Sequence, residues 1–364
     1  MKYWSPRINR RTFVTLVAAG ATACAITAAS AQGLNLAGEQ IADANLLKAA
    51  QAEGSLLLYS VNFEDLQRQL LDEFSKDTGL KAEAIRLSAG RLYERVMSEH
   101  AGGRLKADII DLSDISLQQR LVRDGIVVAH KVPSWDFIPD SLKSADGAYY
   151  GINRYPAILG FNTKMIPKGQ EPKSWTDTLH PRFKGQVGIA QAASGGSTWS
   201  VAMFQRKVVD PKFWEKQASN DPRIYPSYAP MSDELGRGEI TVGTTTVGLI
   251  RSLIKAGAPV SANFPAEGAP TVAVWSSVAT KAAHPNAARL FMNWVTSKRG
   301  GTAMTEIFAD YAAHSGVAPP NLSQYGITLP PADKLWMADQ KESDELRERW
   351  LPEWDETYRT KRGR

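Results

Sequence analysis

Cysteine is nearly missing from this chain of 364 residues: one is present, Cys24. It lies inside an N-terminal apolar stretch, so a chain cut after that stretch has no thiol. Disulfides, redox pairs and cysteine-ligated metals are then excluded. Histidine is sparse as well. His100, His130, His180, His284 and His314 are scattered without the spacing of a zinc site. No phosphate-loop lysine, no H-E-x-x-H pair and no G-x-S-x-G elbow occurs. Also absent is a basic block interleaved with aromatics, which excludes a nucleic-acid groove. No cofactor motif remains.

What is present begins at the N-terminus. Arg10 and Arg11 precede Thr12 and Phe13, and Val14 to Ala29 is mostly Ala, Val, Leu and Thr. This run is too short and too weakly apolar to span ~30 Å of hydrocarbon. Ala29-Ser30-Ala31 supplies the small-x-small pattern that a signal peptidase needs. The paired arginines resemble a twin-arginine export address. Residues 1–31 therefore read as a signal peptide cleaved after Ala31, with a retained anchor or a lipidated Cys24 as the alternatives. Cleavage removes four basic residues and no acid, lowering the net charge from +5 to +1. The basic pI belongs to the leader and carries no message about partners. The remaining length exceeds one ordinary core and implies two domains.

The exported part alternates strands and helices. Ser55–Ser60, 82–87 and 107–112 are short strand-like runs, separated by helical spacings at Leu66, Leu70, Leu71 and Phe74 and at Leu92 and Val96. That order is the pattern of a parallel sheet with crossover helices. A long extended stretch, 150–162, holds Pro156 at its middle, as a strand along an edge or between two bodies would. Further strands are expected over 184–190, 240–244, 260–265 and 271–278, a helix over 287–296, and terminal helices over 332–358. The acid-rich stretch from Glu342 to Glu348 reads as a solvated helical face.

In this order the segments Glu53–Ser60, 106–110, 150–152, Gly160-Phe161-Asn162-Thr163, 172–177, 183–187, 265–268 and 287–295 resemble the landmarks of type 2 periplasmic solute-binding proteins, in the branch that holds the ferric-ion-binding proteins. The resemblance implies an α/β fold of two lobes joined by crossing hinge strands, with ligand held in the cleft between them. Residues 32–153 and 263–312 would form lobe 1, 154–262 lobe 2, and 313–364 helices packed on lobe 2 and the hinge. It further implies a periplasmic receptor, not an enzyme, that delivers a small ligand to the membrane subunits of an ABC importer and acts as a monomer. A secreted enzyme on the same scaffold is the alternative from another class.

Candidate contacts follow from loops at strand carboxyl ends, where an open α/β sheet holds its ligand. Ser60 follows the first strand. Ser88, Gly90 and Arg91 open a helix; Ser88 has the alternative of a plain N-cap, and Arg91 of a solvated first-turn residue. Ser194, Gly195, Gly196, Ser197 and Thr198 combine glycine backbone with hydroxyls, as a small-anion nest does, or form a capped Gly-rich turn. Thr244, Thr245 and Thr246 lie at the matching later loop, and Arg154 and Tyr155 on the proposed crossing strand. The ferric branch carries adjacent tyrosines just after the strand corresponding to 240–244; here threonines stand there. Donor-rich loops with arginine favour an organic anion over iron, the ferric ion being the alternative.

Export makes the first testable statement. Protein recovered from the periplasm should begin at Gln32 by N-terminal sequencing, and Arg10→Lys with Arg11→Lys should stop export of the folded precursor. Material that still begins at Met1 refutes it.

Overall fold

A computed structural model describes Met1, residues 33–328, Pro330 and residues 334–359. Apart from Met1, the export segment and its cleavage site lie outside these residues. Among the described residues no helix is long and apolar enough to cross a membrane.

A small hairpin, β1 (Leu34–Leu36) and β2 (Glu39–Ala42), precedes α1 (Ala44–Glu53), whose N-cap Asp43 accepts the Leu46 N–H at 2.7 Å. β3 (Ser55–Ser60), α2 (Glu64–Thr78), β4 (Lys81–Arg86), α3 (Ala89–Ala101), β5 (Ile109–Leu112), α4 (Ile115–Arg123) and β6 (Val127–Val128) follow. α2 buries Leu66, Leu70, Leu71 and Phe74, one face at helical spacing. It stops at Gly79, whose φ of 79° is left-handed and suits a residue without Cβ. β3 pairs in parallel with β4 and β5, as the alternation of strands and helices requires.

The second half contains β7 (Tyr150–Asn162), β8 (Val187–Ala190), α5 (Gly196–Phe204), α6 (Phe213–Ser219), β9 (Arg223–Tyr225), α7 (Tyr228–Arg237), β10 (Val242–Thr246), α8 (Val247–Lys255) and β11 (Val260–Asn263). The chain then passes through β12 (Ala269–Ala279), α9 (Pro285–Val295), α10 (Lys298–Phe308), β13 (Tyr311–Ala312), β14 (Leu335–Trp336) and α11 (Gln340–Arg359). The strand expected over 240–244 sits two residues later, at Val242–Thr246. The expected terminal helices are a single helix, α11, which continues through Pro352.

One curled sheet orders its main strands β4-β3-β5-β12-β7-β10-β8-β9. Its two ends carry separate apolar cores, which make the lobes. Leu56, Leu58, Phe74, Phe291 and Trp294 pack on one face of the first end, and Leu92, Ile110 and Leu121 on the other. Trp175, Phe204, Phe213, Trp214 and Leu235 fill the second lobe, joined by Trp354 and Tyr358 of α11. β7 belongs to both. From Tyr150 to Pro156 it pairs with β12, and from Ala157 to Asn162 with β10 and β11. Pro156 thus stands where the strand leaves one lobe for the other.

A polar row crosses the first core. Ser276 of β12 pairs with Asp111 of β5, and Ser60 of β3 lies one step beyond the Tyr59–Ile110 pair. Both Asp111 oxygens are buried without a well-formed hydrogen bond. Burial pushes its carboxyl up to about 6, the neighbouring Ser276 and Ser60 hydroxyls offsetting only part of that. The folded chain therefore takes up this proton before the unfolded chain does, and stability falls as pH rises from about 4 through about 6. The gap corresponds to about 3 kcal/mol. Asp111→Asn should stabilise the protein at pH 7 by up to that amount and give no advantage near pH 4, as read by urea unfolding at both values. An equal effect at both pH values contradicts the assignment.

Candidate ligand-binding site

Strand polarity gathers the site. Residues beyond the carboxyl ends of β3 (Val61, Asn62), β4 (Ser88), β5 (Ser113), β8 (Ser194, Gly195) and β9 (Ser227), with Thr246 ending β10, all line one cavity between the lobes. Its volume is about 60 Å³. At ~10–15 Å³ per water, that is room for roughly four to six waters, or one compact polar group.

Four helices begin at its wall. The N-cap residues of α2, α3, α5 and α7 are Phe63, Ser88, Gly195 and Ser227; none gives a side-chain cap, and all four line the cavity. The first N–H groups of a helix have no intrahelical acceptor and carry the positive end of its dipole. α8 differs, because Thr246 caps it by accepting the Leu249 N–H.

The charges point the same way. Arg86, the last residue of β4, lines the cavity half-buried, and its guanidinium makes no hydrogen bond or ion pair among the described residues. Burial lowers its affinity for the proton, and Glu64 restores only part. Asp310 is the acid in the lining. Burial holds its carboxyl well above the ordinary range, although Asn153 donates to it at 2.6 Å and Arg251 lies nearby. Burial thereby disfavours the charged form of the one acid among the lining residues. The Tyr155 phenol is pushed up to about 12 by burial, with the Ser197 and Ser113 hydroxyls beside it. Burial likewise raises Tyr228 well above the ordinary phenol range, and its hydroxyl donates to the Ser197 carbonyl at 3.1 Å.

Of the residues expected from the sequence, the structure brings Ser88, Tyr155, Ser194, Gly195, Ser197, Thr198 and Thr246 to this cavity. The others lie elsewhere. Ser60, the last residue of β3, is buried in the polar row within the sheet and donates to Gln67. Arg91 is exposed, and Gly90 beside it is outside the lining, because α3 turns its Ala89, Leu92 and Val96 face inward. Arg154 is held between β12 and β13, with its Nε buried and unpartnered. Thr244 lies under the second lobe beside Gln217 and Trp354, and Thr245 bonds Ser232 at 2.7 Å. Arg86, Ser113, Ser227, Tyr228 and Asp310 were not legible as a set, although Arg86 and Ser113 do sit just at or past strand ends.

Gly196 is where the lobes touch. A Cβ there would lie 2.0 Å from the Ser113 carbonyl oxygen of lobe 1, so no other residue allows this approach.

Outside the cavity, Ser55 Oγ lies 3.1 Å from His284 Nε2, and His284 Nδ1 lies 2.9 Å from the buried Asp108. This has the connectivity of a hydrolytic triad. The nearby N–H groups of Asn286 and Ala287, which an oxyanion would need, already donate to Glu53. The arrangement is a tie between α9 and the sheet. Among the described residues no group of three His, Cys, Asp or Glu side chains is placed to hold a metal ion.

The family model for bacterial extracellular solute-binding proteins matches residues 105–334, well over half the chain. An uncharacterized protein of Haemophilus influenzae is 27% identical over 268 residues, which is 69% of this chain and 75% of that one. The fold is similar to the periplasmic binding protein AfuA of Actinobacillus pleuropneumoniae with fructose-6-phosphate bound, at a TM-score of 0.71 and 19% identity, covering 84% of this chain and 99% of that one. It is also similar to iron-bound HitA of Pseudomonas aeruginosa, at a TM-score of 0.64 and 19% identity, covering 82% and 99%.

Gly196→Ala should keep the fold and part the lobes, because the added methyl meets backbone across the cleft. Small-angle scattering should then give a larger radius of gyration than the parent. An unchanged radius places the contact elsewhere.

Proposed function

The chain belongs to the bacterial extracellular solute-binding proteins, the binding components of ABC importers, and on that premise we propose that its ligand is a compact organic anion, such as a phosphonate, a phosphate ester or a small carboxylate. The observation that carries this reading is the convergence of four uncapped helix N-termini and the unpaired Arg86 on one cavity. The wall is rich in donors, and a guest rich in acceptors satisfies them. Hydroxyls of Ser88, Ser113, Ser194, Ser197 and Ser227 add uncharged donors, and burial disfavours the charged form of Asp310 beside them. A polyamine would meet the cationic Arg86 and a single carboxyl, Asp310, whose charged form burial disfavours. The receptor works as a monomer from the periplasm, and closure of the lobes on the anion creates the shape that the importer subunits recognise.

A ferric ion is the second reading, since Tyr155 and Tyr228 both line the cavity. Phenolate ligands must lose their protons, and burial raises both phenols, Tyr155 to about 12. As phenols they donate, which suits an anion.

Thermal-shift screening of methylphosphonate, phosphate esters, carboxylates, sugars, spermidine and ferric salts tests this. Anions should raise the melting temperature. Arg86→Gln should lower their affinity roughly tenfold to a hundredfold, since a charge-assisted bond contributes ~1.5–3 kcal/mol. The variant's ligand-free stability should stay equal or rise, because an unpaired half-buried cation is removed. A response to ferric ion alone, or equal anion affinity in Arg86→Gln, overturns the reading.

A further inference from the structure

α11 begins beyond residue 334, where the family match ends. It touches both lobes, with different chemistry on each side. Toward lobe 2 the helix is anchored by aromatic packing, with the Arg206–Glu353 and Lys207–Glu342 ion pairs at its more exposed edge. Trp350 packs edge-on against Trp199 and Trp214, with ring centres 6.5 and 5.8 Å apart. The Arg206 guanidinium stacks on Trp214 and Trp350 at 4.6 and 4.7 Å. Trp354 and Tyr358 are buried in the lobe 2 core, and the Tyr358 hydroxyl donates to Gln217 at 2.7 Å.

Toward lobe 1 the bonds are polar. Arg347 donates to the Asp114 carboxylate, the Ser116 hydroxyl donates to Asp344, and Gln340 Nε2 donates to Ser116 Oγ at 2.8 Å. Asp114 is 3% exposed and also caps α4 by accepting the Ser116 N–H at 3.1 Å. It follows Ser113, which lines the ligand cavity and meets Gly196 across the cleft. The helix therefore grips lobe 1 next to the point where the lobes touch.

We propose that α11 is a latch: it moves with lobe 2 and holds lobe 1 closed over the cavity through the Arg347–Asp114 pair. The proposal rests on the ligand reading only in taking the interlobe cavity as the site. The asymmetry of the contacts is the reason for the direction of motion. Aromatic burial on lobe 2 is lost wholesale if the helix lifts away, whereas Arg347 and Asp114 exchange each other for water when the lobes part. The pair is shielded when closed and hydrated when open, so it favours the closed state by a modest, reversible amount. A charge-assisted bond of this kind shifts a two-state population roughly tenfold to a hundredfold.

The test needs no ligand. In the full chain with Cys24→Ser, spin labels at Glu83→Cys on lobe 1 and Lys212→Cys on lobe 2, both exposed, report the interlobe distance. Arg347→Ala and Asp114→Asn should each lower the closed-to-open ratio at least tenfold, and the double variant should do no more than either alone. Asn at 114 still accepts the Ser116 N–H, so α4 keeps its cap and this variant reports even where Arg347→Ala fails to fold. Glu342→Gln, which breaks only the bond to Lys207 within lobe 2, should leave the ratio unchanged. Unaltered distances in both latch variants, or an equal shift in Glu342→Gln, overturn the proposal. Because the readout is taken without ligand, failure of the anion reading leaves it standing, and failure of the latch leaves the anion reading untouched.

Discussion

β7 cannot end where one core ends. Its backbone pairs with β12 up to Pro156 and with β10 and β11 beyond it, so thirteen continuous residues tie two separately packed lobes. Strand pairing on both sides fixes the relative height of the lobes, while the proline removes one ladder donor at the transition. Everything at the cleft depends on this join. Parallel strands on either side end at the same level because they share one sheet, and their following loops meet across the gap. A bend in β7 near Pro156 would change the spacing of all these loops together.

The cavity illustrates what such convergence costs. Helix N-termini without side-chain caps, a half-buried arginine with no ion pair among the described residues and a carboxyl whose charge burial disfavours are each unfavourable in an empty site. They are bearable because the first lobe is tightly built, with Phe74, Phe291 and Trp294 in edge and tilted contacts and Asp108, Glu53 and Asn293 holding loop to helix. Stability elsewhere lets the site hold unsatisfied donors. A guest rich in acceptors would remove several of these penalties at once, and its affinity would then be tied to lobe closure.

Much of the fold was legible because it rests on periodicity. The Leu66, Leu70, Leu71, Phe74 face and the stop at Gly79, the apolar run of β3, and the proline within a long strand all have local causes. The site was legible only in part, because it depends on register and rotation. A two-residue offset in β10 leaves Thr246 at the cavity and carries Thr244 and Thr245 into lobe 2. Arg91 is a neighbour of Leu92 in sequence but stands off the buried face of α3, while Arg86 reaches the cavity as the final residue of a strand. Composition alone does not separate the two arginines; knowing which residue closes the strand does.

The C-terminal helix shows the same limit on a larger scale. A charged stretch from Glu342 to Glu348 has the composition of a solvated face, and most charges in proteins are solvated. Here Trp350, Trp354 and Tyr358 fix the helix on lobe 2, and that anchoring decides which charges meet lobe 1. Asp344 and Arg347, three residues apart and hence on one face, then fall against Ser116 and Asp114, while Glu342 turns to Lys207. The aromatic side of the helix determines which of its polar side chains meet lobe 1, adding a non-covalent contact to the chain crossings at β7 and between β11 and β12.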